Sequence, residues 1–134
     1  MSDERRDAYR LAMQAGDPEA VARSLAPDVV MHVAVHDQPV VGREAARLVF
    51  TLLREVFSDF RFTREFEAGD ERGLVFETRV EGIPSEGVNL LRFGEHGLIR
   101  EFTVMLRPLS ALTRLGRFMG PRMARRPGAG SEQS

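Results

Sequence analysis

The sequence predicts an α+β fold, in which three N-terminal helices precede a strongly curved, mixed but mainly antiparallel sheet, with a pocket between the sheet and the longest helix and a helical tail behind it. Three observations carry this. Apolar residues recur at helical spacing as far as Phe57, and from Asp59 the apolar period switches to two. Turn signals then recur at Gly69-Asp70-Glu71, Gly82-Ile83-Pro84-Ser85 and Gly94-Glu95-His96-Gly97.

Taken in order, the first helix spans Asp3 to Ala15, with Ala8, Leu11, Ala12 and Ala15 on one side and Gly16 as its stop. Asp17 is placed to cap a second helix with Pro18 at its first position, and Ala20, Val21 and Leu25 give that helix its apolar side. A β-branched strand follows from Asp28 to Val35. The longest helix, Arg43 to Phe57, carries a broad apolar stripe of Ala46, Val49, Phe50, Leu53, Val56 and Phe57. Phe60, Phe62 and Phe66 then share one face of a strand, and Leu74, Phe76, Thr78 and Val80 one face of the next. Glu86–Phe93 and Leu98–Leu106 complete a run of consecutive antiparallel strands.

The chain divides into a domain over residues 1–108, a basic amphipathic helix over 109–126 and a disordered tail over 127–134. The helix carries Leu109, Leu112, Leu115, Phe118, Met119 and Met123, and Gly116 and Gly120-Pro121 are expected to interrupt it. Docking on the domain, or across a dimer, is favoured over a membrane surface because the apolar run is short and broken.

Composition narrows the chemistry. A chain of 134 residues fits one domain that buries about two-thirds of its unfolded surface, and it contains no cysteine for disulfide, thiol or Cys-zinc chemistry. The start MSDERRDAYR has no apolar signal core and no later run is long enough to span a bilayer, so a soluble cytoplasmic protein without membrane partners is expected. The net charge of −1 argues against nucleic acid as a partner, although residues 107–134 carry +5 and residues 1–106 carry −6. All 19 basic residues are arginine, which excludes lysine Schiff-base and lysine-base mechanisms.

The GD-P-E junction at Gly16–Glu19, the LAPDVVMH stretch, GREAARLVF and the ending GVNLLRFGEHGLIREFTVMLRPL stand in an order and spacing that resembles the cone-shaped α+β barrels. These include nuclear transport factor 2, ketosteroid isomerase and the SnoaL-like polyketide cyclases, and the resemblance covers Asp3 to Leu109. It implies a cone-shaped barrel. It also implies that Tyr9 occupies the place of the isomerases' oxyanion-binding tyrosine and Asn89 that of their protonated aspartic acid, both donors to a developing enolate oxygen. The place of the proton-abstracting aspartate falls on Val33, which takes no proton and argues against ordinary steroid isomerase activity.

His32 and His36 remain as candidate bases. His32 neighbours Val33 on a strand and should face the other way, whereas His36 sits near the strand end, where irregular backbone would turn it inward. With Asp28 or Asp37 the two histidines invite a metal reading, but no HxH or HExxH spacing is present and His96 lies in a loop without a ligand pattern. No Gly-rich phosphate loop, GxSxG elbow or dinucleotide fingerprint occurs either, so no cofactor is expected.

Strand parity anchored on Asn89 places Leu91, Phe93, Phe76 and Thr78 on the pocket side, and Phe102, Val104 and Leu106 match pocket positions on the last strand. Val49, Phe50, Met31 and Val33 complete an apolar lining suited to a small hydrophobic or aromatic molecule, unless the same aromatics simply fill the cone. Val88, Leu90, Ile99, Thr103 and Met105 form an outward face too apolar for water, which together with the resemblance implies a homodimer packed sheet against sheet. Three functions stay open: an isomerase-, cyclase- or dehydratase-type enzyme, a non-catalytic binder of small molecules, and a protein-interaction module.

Overall fold

The computed structural model describes residues 3–125. The expected first helix is split at Asp7 into α1 (Asp3–Arg6) and α2 (Ala8–Ala15). α2 ends where Gly16 turns left-handed (φ 66°) and its N–H reaches the carbonyls of Ala12 and Met13. The Asp17 carboxylate then accepts the Glu19 and Ala20 N–H groups at 3.1 Å each, capping α3 (Pro18–Arg23). These two caps set the turn between α2 and α3.

Strand β1 runs over Leu25–His32, earlier than the expected Asp28–Val35, and a short β2 (Val40–Val41) returns antiparallel to it. α4 (Arg43–Val56) begins where the Arg43 guanidinium donates twice to the Leu25 carbonyl, at 3.0 and 2.6 Å. Strands β3 (Phe57–Ala68), β4 (Glu71–Val80), β5 (Ile83–Phe93) and β6 (Ile99–Arg107) follow as an antiparallel run. Ile83, Pro84 and Ser85, expected in a loop, belong to β5, because the turn needs only Glu81 and Gly82, both at positive φ (49° and 87°).

β1 joins β6 in parallel, giving one sheet of order β2-β1-β6-β5-β4-β3. Its two edges stay apart. The sheet is therefore curved but open, and the barrel expected from the resemblance does not close. α4 lies against its inner face, where Ala46, Val49, Phe50, Leu53 and Val56 share a core with Leu74, Phe76, Leu91 and Phe102. Gly87 lets the sheet bend under Phe76, since a Cβ there would come within 2.4 Å of that ring.

Irregular register overturns two expectations. A shift between Phe62 and Arg64 turns Phe66 to the outer face, where its ring covers Gly73, instead of keeping it with Phe60 and Phe62. A second shift, where Phe93 pairs with Ile99 and Arg92 with Glu101, sends Ile99 into the core rather than outward. The C-terminal helix also differs. α5 (Leu109–Ala124) runs unbroken through Gly116, Gly120 and Pro121, with Ala111, Leu115 and Met119 buried against the domain. Residues 126–134, which include the expected disordered tail, lie outside the described residues.

A charged cluster ties the N-terminus to the sheet. Arg72, only 4% exposed, donates to Asp7 (2.6 Å), to the Arg6 carbonyl (3.0 Å) and to Glu67 (2.7 and 3.0 Å), and lies 3.3 Å from Glu65. Its hydrogen bond holds the Asp7 carboxyl below the usual carboxylate range. A lowered carboxylate pKa stabilises the fold above the unfolded value of about 3.9, and that contribution is lost as pH falls through the folded value. Arg72→Met removes the buried cation shared by Asp7, Glu65 and Glu67, leaving Asp7 with Arg10 and Glu67 with the more distant Arg6, and is expected to cost about 2–4 kcal/mol at pH 7. Urea denaturation at pH 7 and near pH 3 should show the variant's deficit shrinking at the lower pH; an equal deficit at both would rule out the charge cluster as its cause.

Candidate functional site

The two residues expected to polarise a substrate do meet. α2 directs Tyr9 into the core and β5 presents Asn89 from the sheet, so that the Tyr9 hydroxyl donates to Asn89 Oδ1 at 2.5 Å. Both are buried, at 1% and 4% exposure. The Tyr9 ring meets Phe102 edge-on at 5.1 Å and Phe50 at 6.0 Å, and lies 6.1 Å from Phe62. Phe50 and Phe102 pack on each other at 5.5 Å. Aromatic side chains thus fill the space around the pair, and burial pushes the Tyr9 hydroxyl well above its usual pKa.

An apolar cavity lies elsewhere, at the open end of the curved sheet. It measures about 570 Å³ and is enclosed by α4, β6, α5 and the loop from Val33 to Pro39 between β1 and β2. Of the residues singled out from the sequence, Met31, Val33, Val49, Val104, Leu106 and His36 line it. Tyr9, Asn89, Phe50, Phe76, Thr78, Leu91, Phe93 and Phe102 do not. Phe76 stacks on Phe60 with ring centres 5.0 Å apart, and the Thr78 hydroxyl donates to the Ser58 carbonyl at 2.9 Å. Leu91 is buried in the core, and Phe93 lies under the Arg6 guanidinium, 5.1 Å from its ring centre.

The histidines separate. His32 faces away from the cavity and its Nε2 meets Glu101 at 2.9 Å, a contact that holds the Glu101 carboxyl below its usual range. His36 follows the end of β1 in an irregular loop and borders the cavity, where the Gln38 N–H donates to its Nδ1 at 3.0 Å. Asp28 and Asp37 are absent from the cavity wall.

Sequence reasoning missed the wall that α5 supplies. Leu115, Gly116, Met119, Gly120, Met123 and Ala124 border the cavity as adjacent pairs one helical turn apart. The i, i+4 spacing of Leu115, Met119 and Met123 was the available signal. Leu53 and Phe57 of the α4 stripe also belong to the lining.

Residues 6–102 match the family model of the SnoaL-like domain. Among solved structures, the chain is similar to a steroid delta-isomerase from Pseudomonas aeruginosa, with 30% identity over 87% of this chain and 86% of that one and a TM-score of 0.80. It is equally close in shape, at 29% identity over 88% and 86% and a TM-score of 0.80, to a bacterial protein with a cystatin-like fold from Silicibacter pomeroyi DSS-3. A protein with a ketosteroid isomerase-like fold from Catenulispora acidiphila DSM 44928, in complex with trimethylamine, shares the fold at 18% identity over 84% and 91%, with a TM-score of 0.64. No curated protein matches the chain.

The chain has one tyrosine and no tryptophan, so tyrosinate absorbance reads Tyr9 alone. A raised folded pKa means that neutral Tyr9 stabilises the fold up to pH about 10, and that this contribution is lost above it. No tyrosinate signal is expected before alkaline unfolding; a titration near pH 10 in folded protein would place Tyr9 in contact with solvent. Tyr9→Phe, which leaves Asn89 Oδ1 without its donor, should cost about 1–3 kcal/mol by urea denaturation.

Proposed function

The chain belongs to the SnoaL-like domain family, and we propose that it binds a small hydrophobic molecule in the cavity between α4, β6 and α5. One observation carries this reading: the cavity is within the size range of small-molecule sites, and among the described residues its wall holds no aspartate, glutamate or arginine. Valine, leucine and methionine dominate it. Transfer of a hydrocarbon from water into such a space is favourable by about 25 cal/mol per Å² of apolar surface buried.

A catalytic reading has a specific observation in its favour as well. Tyr9 and Asn89, the pair that the resemblance to the isomerases singles out, lie side by side, and a steroid delta-isomerase is among the similar structures. Against it, Tyr9 donates to Asn89 rather than towards an open space, and Val33 stands where proton abstraction needs a base. His36 is the titratable side chain that borders the cavity. Binding without isomerase-type turnover is therefore the preferred reading.

We also propose a homodimer through the outer face of the sheet. Two apolar rows cross it, Phe66, Leu90 and Thr103 by way of Gly73, and Val75, Val88 and Met105. Met105 is 53% exposed. A contiguous apolar patch of this kind is typical of a covered surface.

Gly120 offers a test of the cavity, because it borders the space and a Cβ added there meets no atom within 4 Å beyond its chain neighbours and its own helix backbone. In a thermal-shift panel of hydrophobic ketones, phenols, steroids and polycyclic aromatics, a ligand at about a hundredfold over its Kd should raise the wild-type Tm by roughly 10 °C. Gly120→Leu, checked to be folded by its own cooperative melting transition, should respond far less. Equal shifts in both proteins, or none in the wild type, would reject the cavity as the site. For the dimer, light scattering at micromolar concentration should return twice the chain mass for the wild type and the chain mass for Val88→Arg; a monomeric wild type would end that proposal.

A further inference from the structure

Resting on the cavity as a ligand site, we infer that its ligand carries a single polar end, a hydrogen-bond acceptor addressed to His36 at the mouth, on a hydrocarbon body that fills the interior. The lining divides by depth. Met31, Val49, Leu53, Leu106, Leu115 and Met119 are buried and form the interior, and none of them has a hydrogen-bonding side chain. The polar side chains of the wall, His36 and Gln38, are both exposed and therefore stand at the opening.

One tautomer of the neutral His36 ring fits its surroundings. A backbone amide always carries its proton, so the Gln38 N–H, donating at 3.0 Å, requires a lone pair on His36 Nδ1 and places the neutral ring's proton on Nε2. The Gln38 carbonyl oxygen, 3.2 Å from the same nitrogen, accepts a proton only from the opposite tautomer. Nε2 has no hydrogen-bond partner among the described residues. It is a donor at the edge of an apolar chamber.

This arrangement selects by polarity more strictly than by shape. A ligand acceptor at the mouth gains a hydrogen bond from Nε2, whereas a second polar group at the far end is buried against aliphatic and thioether side chains without a partner. The hydrocarbon body is held more loosely, because Met31, Met119 and Met123 are unbranched and adjust to irregular outlines. The ligand class is thus an amphiphile with one ketone, carboxylate or similar acceptor. Multiply oxygenated ring systems are disfavoured.

Three compounds on one rigid skeleton test this: trans-decalin, trans-2-decalone and trans-decalin-2,6-dione, with no carbonyl, one, and two at opposite ends. Calorimetric titration should find the dione at least tenfold weaker than the monoketone. His36→Leu should weaken the monoketone about five- to tenfold and leave decalin unchanged, and His36→Gln, which keeps an N–H donor, should recover most of the loss. A dione that binds as tightly as the monoketone, or a monoketone indifferent to His36→Leu, would overturn the inference while leaving the cavity as a binding site. Failure of all three compounds to bind would overturn it too. In that case, Gly120-sensitive binding of any other compound decides separately whether the cavity reading survives.

Discussion

A buried tyrosine hydroxyl must find an acceptor, because an unpaired one costs about 1–3 kcal/mol, and Tyr9 finds the side chain of Asn89 at 2.5 Å. The rest of the arrangement depends on that contact. It fixes α2 against β5, and Phe102 and Phe50 close edge-on around the Tyr9 ring, so that aromatic side chains seal one end of the curved sheet. The open volume is left at the other end. There α5 and the Val33–Pro39 loop wall it in.

The fold was legible because its signals are local. Gly16, Asp17 and Pro18 announce a helix boundary by backbone chemistry alone, and the change of apolar period at Asp59 separates helices from sheet without knowledge of what packs on what. Where local pattern failed, long-range pairing was the reason. Phe66 and Ile99 have the wrong parity for the faces they occupy, because each lies beyond an irregularity in strand register that the sequence does not mark. β2 is two residues long, too short for any periodicity, and the parallel union of β1 with β6 joins segments far apart in the chain.

The site was half legible for the same reason. Parity identified the inward faces of β1 and β6, and these supply Met31, Val104 and Leu106 to the cavity. It did not separate inward residues that line space from inward residues that fill it. Phe76, Leu91 and Phe102 point inward as expected and are consumed by packing. The wall from α5 depended on the helix continuing through Gly116 and Gly120-Pro121, which local propensity disfavours and tertiary packing of Ala111, Leu115 and Met119 supports.

The same partition bears on chemistry. For carbonyl activation at Tyr9, a substrate oxygen has to replace Asn89 Oδ1 as the acceptor of the hydroxyl proton, and the aromatic packing around Tyr9 has to open to admit it. Both changes oppose catalysis, the first by leaving a buried amide oxygen unpaired and the second by undoing aromatic packing. A base is needed as well, and the position the resemblance assigns to it holds Val33. A ligand at the open end encounters none of these costs, since the space exists, its wall is apolar and a donor already stands at its mouth. On the proposed reading, the residues that most resemble an active site act as a structural plug. The cavity they leave free is the better place to look for function.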